Sequence, residues 1–241
     1  IGESFSRLLA SNRYNLVLVA RDLPRLEERA KALEEKFGIK THVIQADLST
    51  NEGCMKVEQH IAENQIDVLI NNAGFGTSKP FTLSTLEIEQ QLLDVLVRTP
   101  MRLMHVALPL MKQRNNGIII NVSSVAGYIA GGTYSASKSY LTVLTESLHT
   151  ELAATNVKVS ALCPGFTRTE FHQRAGMKMG AIPNFMWLNG EFLVKQAWAD
   201  AEKGKAISIP GWQYKVLRAI IAIAPRSTVR KMGMSLRTKQ R

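Results

Sequence analysis

Short apolar runs rich in β-branched residues alternate along this chain with longer segments whose apolar residues recur at helical spacing. The short runs predict strands at Asn15–Arg21, Thr41–Ala46, Asp67–Ile70, Gly117–Val122, Val157–Leu162 and Ala206–Ile209. The periodic segments predict helices at Leu23–Phe37, Ser49–Asn64, Ser84–Lys112 and Tyr134–Ala154. A capping box formed by Ser84 and Glu87 is expected to open the third of these helices. Pro100 and Pro109 are expected to kink or break it.

Strands that are apolar along nearly their whole length, separated by amphipathic helices, are typical of a parallel sheet covered by helices on both faces. We therefore expect an α/β fold with a doubly wound parallel sheet, which binds its ligand beyond the carboxyl ends of the strands. The sequence contains no repeat, low-complexity tract or linker. Residues 1–241 are therefore expected to form one domain.

The two cysteines, Cys54 and Cys163, lie far apart in unrelated contexts, so they build neither a disulfide framework nor a metal cluster. Low cysteine usage favours a reducing compartment, and we expect a cytoplasmic protein without a bound metal. No apolar run reaches the roughly 20 residues that span a bilayer.

The formal net charge of +10 comes from the end of the chain. Lys203–Arg241 holds ten lysines and arginines and no acidic residue, whereas residues 1–202 hold 20 basic and 20 acidic side chains. This distribution argues against nucleic-acid binding by the body of the protein. It predicts instead a local basic C-terminal segment.

Tyr134 and Lys138 open a predicted helix that follows the strand ending in Asn121-Val-Ser-Ser124. Their spacing of four residues places both side chains on one helix face. A phenol has a pKa of about 10, and a fixed ammonium beside it favours the phenolate and lowers that pKa toward neutral pH. With a serine hydroxyl to hold a substrate oxygen, the pair predicts proton transfer to or from that oxygen.

Four motifs in order give the chain its resemblance to the short-chain dehydrogenase/reductase family. They are Asn71-Asn72-Ala73-Gly74, Asn121-Val-Ser-Ser-Val-Ala-Gly127, Tyr134-x-x-x-Lys138 and Cys163-Pro164-Gly165. The resemblance covers nearly the whole chain and implies a Rossmann-like three-layer sandwich in which a nicotinamide cofactor and a substrate meet at one edge of the sheet. It implies an oxidoreductase that moves a hydride between the cofactor and a carbonyl or alcohol carbon.

The same resemblance implies roles for individual residues. Tyr134 would be the general acid/base, Lys138 its pKa partner and ribose ligand, and Ser124 the donor to the substrate oxygen. Ser123 stays an alternative for the last role. Asp47 would contact adenine, and Asn71, Ala73 and Gly74 would form the wall beside the cofactor ribose. Thr167 and Thr169, after Pro164-Gly165, match the segment that meets the nicotinamide carboxamide. The implied cofactor contacts are Gly2, Arg21, Asp47, Leu48, Asn71, Ala73, Gly74, Tyr134, Lys138, Pro164, Gly165, Thr167 and Thr169.

The start of the chain departs from the family pattern. Ile1-Gly2 resembles the last two residues of the family's glycine-rich phosphate-binding turn, and a helix is expected to follow at Glu3–Ser11. The first strand and most of that turn are therefore missing. We interpret residue 1 as the start of a shortened or incompletely visible chain and expect a gap in the sheet.

Two further departures lie near the implied catalytic residues. The Ser124-to-Tyr134 spacing is shorter than is common in the family, so the loop Val125–Thr133 is expected to be tight. Leu96 stands where the family usually has an asparagine that supports a water-mediated proton relay. Because leucine has no hydrogen-bonding group, either another group holds the water, turnover is slower, or the protein is no longer a catalyst.

Cofactor choice depends on the end of the family's second strand, which corresponds here to Asn15–Arg21 because the first strand is missing. At that position an acidic residue binds the ribose of NAD, whereas an arginine meets the 2′-phosphate of NADP. The chain has Ala20 at the acidic position, followed by Arg21 and then Asp22. This order favours NADP over NAD, with a solvated strand-end arginine as the alternative.

Residues 166–200 match the family's substrate lid, and they are rich in methionine and aromatic residues. The members of this set are Phe171, Met177, Met179, Phe185, Met186, Trp187 and Phe192. Such side chains suit a lipophilic substrate: a ketone, an acyl chain or a steroid-like ring. The alternative is that half of them fill core or an oligomer contact.

The sequence is therefore compatible with two functions. The first is an NADP-dependent carbonyl reductase for lipophilic substrates. The second is a catalytically weak relative that senses the cofactor or binds a partner, as Leu96 suggests. The family commonly forms homo-oligomers, so one is expected here.

The segment Val216–Ala224 is apolar and framed by cations, with Arg218 inside it. It predicts an interfacial helix on an anionic membrane, or a helix that docks on the protein itself or on a partner subunit.

Overall fold

The computed structural model describes residues 1–176 and 182–239. The helices are α1 (Gly2–Ser11), α2 (Leu23–Phe37), α3 (Asn51–Glu63), α4 (Leu86–Leu93), α5 (Thr99–Arg114), α6 (Thr133–Glu151), α7 (Phe171–Arg174), α8 (Gly190–Glu202), α9 (Trp212–Ile223) and α10 (Arg226–Lys239). The strands are β1 (Leu16–Ala20), β2 (Thr41–Gln45), β3 (Val68–Asn71), β4 (Gly117–Val122), β5 (Val157–Leu162) and β6 (Ile207–Ser208). Every predicted strand is therefore present.

All strand pairs in the described part of the chain are parallel, and they form two separate sheets. One sheet contains β1 and β2, and the other has the order β3-β4-β5-β6. Helices cover both faces, so the fold is the expected Rossmann-like α/β sandwich. Among the described residues no strand joins β1 to β3, so the expected gap in the sheet is also confirmed.

Strand β4 shows how the sequence builds the three layers, because successive side chains of a strand point to opposite faces. Ile120 belongs to an apolar cluster with residues of α1 and α8, such as Phe5 and Leu193. Its neighbour Ile119 belongs to a second cluster with residues of α3, α5 and α6, such as Met104. Both isoleucines are fully buried, which explains why this strand is a continuous apolar run.

The helical stretch after β3 differs from its prediction at both ends. A 3-10 turn over Phe81–Leu83 ends at Ser84, so Thr85 rather than Ser84 is the N-cap of α4 and the predicted capping box is wrong. Helix α5 also continues through Pro109. Pro109 and His105, whose carbonyl loses its helical partner, are both exposed, so water can satisfy that carbonyl and the helix is not broken.

The predicted lid segment divides into two parts. Helix α8 is core, because Leu193, Val194, Ala197 and Trp198 are buried against the sheet and α1. Met177 and Met179 lie outside the described residues. No helix in the described part of the chain is long and apolar enough to cross a membrane.

Candidate active site

A cleft of about 2080 Å³ lies at the carboxyl ends of the strands and extends into the gap between β1 and β3. All the site residues expected from the sequence line it, from Arg21 and Asp47 at one end to Ser124, Tyr134 and Lys138 at the other. Gly2, Leu48, Asn71, Ala73, Gly74, Pro164, Gly165, Thr167 and Thr169 lie along it as well. The fold thus brings residues from every part of the predicted motif set to one surface.

The two serines after β4 have different partners. Ser124 forms a side-chain hydrogen bond with Tyr134, and its Oγ accepts the Ala126 backbone N–H at 3.1 Å. Ser123 is buried, its Oγ donates to the Lys138 carbonyl oxygen at 2.8 Å, and it lies 2.7 Å from the Thr142 hydroxyl. Ser123 therefore fixes α6 against β4, and Ser124 is the serine that faces the phenol.

Lys138 lies under the tyrosine, at the base of the cleft. Its Nζ donates to the Val122 carbonyl oxygen at 2.6 Å and lies 5.7 Å from the centroid of the Tyr134 ring. Burial disfavours the charged ammonium and lowers the pKa of Lys138 to about 8. The ammonium can therefore lose its proton in the range where enzymes work.

The pKa of Tyr134 is higher than the pKa of a free phenol, whereas the sequence predicts a lower one. Burial of the phenol raises this pKa to about 12, and the hydrogen bond from Ser124 only partly opposes that rise. The Lys138 ammonium lies 5.7 Å from the ring centroid and donates to the Val122 carbonyl oxygen, so the stabilisation it gives a phenolate does not outweigh burial, and the predicted lowering of the pKa is wrong. Tyr134 is consequently protonated at neutral pH, ready to donate a proton.

The loop between the two catalytic hydroxyls is tight, as expected. It contains a 3-10 turn over Val125–Tyr128 and reaches α6 through Gly132, whose φ of 86° lies in the left-handed region. A Cβ on Gly127 would lie 3.0 Å from the Lys138 backbone carbon, so the loop sits directly on α6.

The C-terminal helices hold this loop from outside, which the sequence did not indicate. The Arg218 guanidinium of α9 lies 4.5 Å from the centroid of the Tyr128 ring. A Cβ on Gly233 of α10 would lie only 2.4 Å from the Ala130 carbonyl oxygen. Helices α9 and α10 are therefore part of the support of the site.

Leu96 lies in a π-helical turn, Asp94–Arg98, that joins α4 to α5. Single π turns in helices are frequent at functional sites. The leucine is 1% exposed, and a Cβ built on Gly74 would lie 2.9 Å from its Cδ2 and 3.8 Å from Lys138 Nζ. An apolar side chain therefore occupies the space beside the lysine where the family usually has an amide.

The Leu96→Asn substitution is expected to raise kcat, because it places a hydrogen-bonding group beside Lys138, and to lower the melting temperature, because it buries an amide in an apolar site. Steady-state kinetics and thermal melts measure the two effects. Leu96→Met, which conserves volume, is the control and leaves kcat unchanged. An unchanged rate in Leu96→Asn means that the relay runs through other groups, and a lower rate means that Leu96 is needed for packing.

The cofactor-selecting end of the cleft contains Arg21, whose side chain is 77% exposed and whose Nη1 lies 3.9 Å from Asp47 Oδ2. The neighbouring acid is occupied elsewhere, since Asp22 caps α2 by accepting the Arg25 backbone N–H at 3.2 Å. Asp47 Oδ1 accepts hydrogen bonds from the Ser49 backbone and hydroxyl, which lower the pKa of this carboxyl. Arg21 is therefore the side chain available to an anionic group here.

In the middle of the cleft, a bound anionic group can approach the backbone closely. Helix α1 begins at Gly2 without a side-chain cap, and a helix N-terminus attracts anions. A Cβ on Gly2 would lie 2.6 Å from Asn72 Nδ2, so a larger residue at this position would have to push the Asn72 amide aside. A dinucleotide with its negative pyrophosphate fits these residues.

The opposite wall follows β5 and leads into the lid segment. A Cβ on Gly165 would lie 1.9 Å from Tyr214 Cζ, so glycine is required beneath the tyrosine ring. The Tyr214 hydroxyl accepts the Phe166 backbone N–H at 2.8 Å and donates to the Met186 carbonyl. Sequence reasoning missed this tyrosine, which ties α9 to the segment carrying Thr167.

Aromatic rings of the lid segment lie close to the catalytic tyrosine. The centroids of the Phe171 and Tyr134 rings are 5.8 Å apart, and those of Phe166 and Trp187 are 5.9 Å apart. No group of three or more metal-ligating side chains was found in the described ranges. The site thus combines a protonated phenol with an apolar wall.

The family model of short chain dehydrogenases matches residues 1–179. The chain belongs to this family. An uncharacterized oxidoreductase of Staphylococcus saprophyticus is 31% identical over 70% of this chain and 74% of its own length. The very-long-chain 3-oxoacyl-CoA reductase of Rattus norvegicus is 28% identical over 70% of this chain, but the match spans only 57% of that enzyme.

A solved structure agrees with these matches. A short-chain dehydrogenase from Sphingobium yanoikuyae in complex with NADPH is 29% identical and superposes with a TM-score of 0.83, covering 93% of this chain and 91% of the other. This chain is accordingly an oxidoreductase of the short-chain dehydrogenase family with a nicotinamide cofactor.

Proposed function

We propose that the protein is an NADP-dependent reductase of a carbonyl group in a lipophilic substrate. The observation that carries this proposal is the pairing of Ser124 with a protonated Tyr134 at the end of the cleft, with the Phe171 ring beside the phenol. Two hydroxyl groups can hold a carbonyl oxygen there, and the aromatic ring offers contact to the apolar remainder of the substrate.

The proton chemistry follows from the same geometry. When bound, the reduced nicotinamide supplies the hydride that forms the new C–H bond. Ser124 holds the carbonyl oxygen, and Tyr134 donates its phenolic proton to that oxygen, which forms the alcohol O–H bond. The phenolate left behind is stabilised by the Lys138 ammonium and regains a proton from solvent. Lys138, Asn71, Ala73 and Gly74 would hold the cofactor ribose.

The test of this function is consumption of NADPH with 3-oxoacyl thioesters, steroid ketones and aromatic ketones as substrates. Fluorescence of the reduced nicotinamide falls as it is oxidised. The expected result is turnover of at least one of these classes, with small polar ketones converted more slowly. The name of the rat relative supports the inclusion of acyl thioesters.

The second candidate is a catalytically weak relative that binds the cofactor without turning over, and Leu96 beside Lys138 is the observation that favours it. Tight NADPH binding without turnover of any substrate class would support this candidate and contradict the first.

NADP selection is assigned to Arg21. The Arg21→Ala substitution is expected to weaken NADPH binding by about 1.5–3 kcal/mol, roughly ten- to hundredfold, because it removes a charge-assisted contact to phosphate. NADH binding is expected to change little. Titration of both cofactors by fluorescence measures this difference. Lys31→Ala, on the exposed face of α2, is the matched control. Equal losses for NADPH and NADH would show that Arg21 does not read the 2′-phosphate.

We further propose that the protein is a cytoplasmic homo-oligomer. Exposed apolar side chains lie on α4, α5 and α6, and burial of such a surface stabilises subunit contacts. They are Leu86, Leu93, Met101, Tyr140 and Val143. Both cysteines are free and buried, which supports a reducing compartment.

A further inference from the structure

Helix α9 has two apolar faces. Its inner face contains Tyr214 and Ile221, which are buried against the body of the protein. Its outer face contains Trp212, Val216, Ile220 and Ile223, which are 72%, 50%, 54% and 86% exposed. A helix that packs on a globular protein normally has polar residues on the side that faces solvent.

The four outer residues form one stripe. They are spaced by four, four and three residues, which places them within about one third of the helix circumference. Ala219 is exposed within the same sector, so no charged side chain interrupts the stripe. Phe185 lies in a 3-10 turn over Asn184–Met186 and is 65% exposed. Its carbonyl accepts a hydrogen bond from Gln213 at 3.1 Å. The apolar surface therefore begins next to the lid segment.

Exposed cations flank this stripe. Lys215 borders it on α9, and Arg226, Arg230 and Lys231 follow on α10. No acidic residue occurs after Glu202 in the sequence. Arg218, which the sequence placed within the stripe, instead turns inward and stacks on Tyr128.

We propose that the outer face of α9 is a docking surface for an anionic lipid bilayer. An apolar stripe with exposed cations on the same helix and on the one that follows complements a layer of acyl chains under negative headgroups. Trp212 at the start of the helix is the residue type that favours the membrane–water interface. The 12 residues of α9 span about 18 Å, against about 30 Å of bilayer core, so the helix lies in the plane of the surface.

A partner protein fits the surface less well. The stripe offers no acidic or amide group that could specify one partner by hydrogen bonding, and the exposed charged side chains of α9 and α10 named above are all positive. Docking through α9 would bring the lid segment close to the bilayer, since Tyr214 and Gln213 connect this helix to Met186 and Phe185.

The test uses the full chain with vesicles of phosphatidylcholine, with and without phosphatidylglycerol. The protein is expected to co-sediment with the anionic vesicles, with a blue shift of tryptophan fluorescence that is lost in Trp212→Phe. The double variant Ile220→Glu/Ile223→Glu is expected to lower the partition coefficient at least tenfold. Met55→Glu, an equally exposed apolar position on α3, is the control that leaves it unchanged. The double variant Arg226→Gln/Arg230→Gln, which leaves Lys215 and Lys231 in place, is expected to reduce the salt sensitivity of binding.

Point variants suit this test better than truncation after Pro210, which would remove the buried Tyr214 and endanger the fold. Circular dichroism and NADPH affinity, which do not depend on vesicles, establish that each variant is folded. Absence of wild-type protein from the anionic pellet overturns the proposal. A change of oligomeric state in Ile220→Glu/Ile223→Glu, measured by light scattering, also overturns it and makes the stripe a subunit contact.

Discussion

Replacing Tyr134 with phenylalanine is expected to remove nearly all turnover, by about 10²–10⁴-fold, while NADPH still binds. The substitution deletes only the phenolic hydroxyl, which carries the proton that the alcohol product requires. The ring stays in place beside Phe171, so the apolar wall is preserved. Steady-state reduction rates and cofactor titration measure the two expectations.

Tyr140→Phe is the matched control for that experiment, because this tyrosine lies on the same helix but does not line the cleft. It is expected to have wild-type kinetics. Retention of more than about a tenth of the activity in Tyr134→Phe would remove Tyr134 from the role of proton donor, since a positioned general acid contributes at least 10²-fold.

Replacing Lys138 with methionine is expected to lower both turnover and NADPH affinity, because one ammonium is assigned to the phenolate and to the cofactor ribose. Folding stability at neutral pH is expected to stay close to that of the wild type. The pKa of this buried lysine is lowered from 10.5 to about 8, so its charge destabilises the fold by an amount on the order of 3 kcal/mol. Loss of the donor to the Val122 carbonyl costs about 1–3 kcal/mol and opposes that gain.

The pH dependence of stability distinguishes this account from a simple packing role. Between pH 8 and pH 10.5 the unfolded lysine is protonated and the folded one is not, so the contribution of Lys138 to wild-type stability rises with pH across this window. Lys138→Met lacks this rise. Thermal melts across the window measure the difference, with Lys112→Met, on the exposed side of α5, as the control. If the melting temperatures of wild type and Lys138→Met change in parallel with pH, burial does not lower the pKa of Lys138.

Strand positions were predictable because parallel strands buried on both faces leave continuous apolar runs, as Ile118–Ile120 does in β4. The meeting of Tyr134, Lys138 and Ser124 was predictable for a related reason. Helical spacing fixes the first two on one face, and the end of a buried strand fixes the third. Local sequence patterns therefore predict both the strand positions and the meeting of these three residues.

Other features depend on surroundings that no local pattern contains. The pKa of Tyr134 is set by how deeply the folded chain buries the phenol, so the neighbouring lysine alone predicts the wrong direction. Pro109 is tolerated in α5 because it lies on the exposed side of the helix, where water can reach the carbonyl that loses its helical partner. Arg218 contacts Tyr128, which lies 90 positions earlier in the sequence, and neither residue type predicts this contact.

The packing of Gly233 against Ala130 also limits which sequence changes this protein can accept, whether by design or in evolution. No side chain larger than hydrogen fits between α10 and the loop that separates the two catalytic hydroxyls. Lengthening the loop would push α10 away, and inserting one residue in α10 before Gly233 would turn a different side chain toward the loop by about 100°. An insertion in either segment therefore disturbs the other, although the two lie more than 90 residues apart in the sequence.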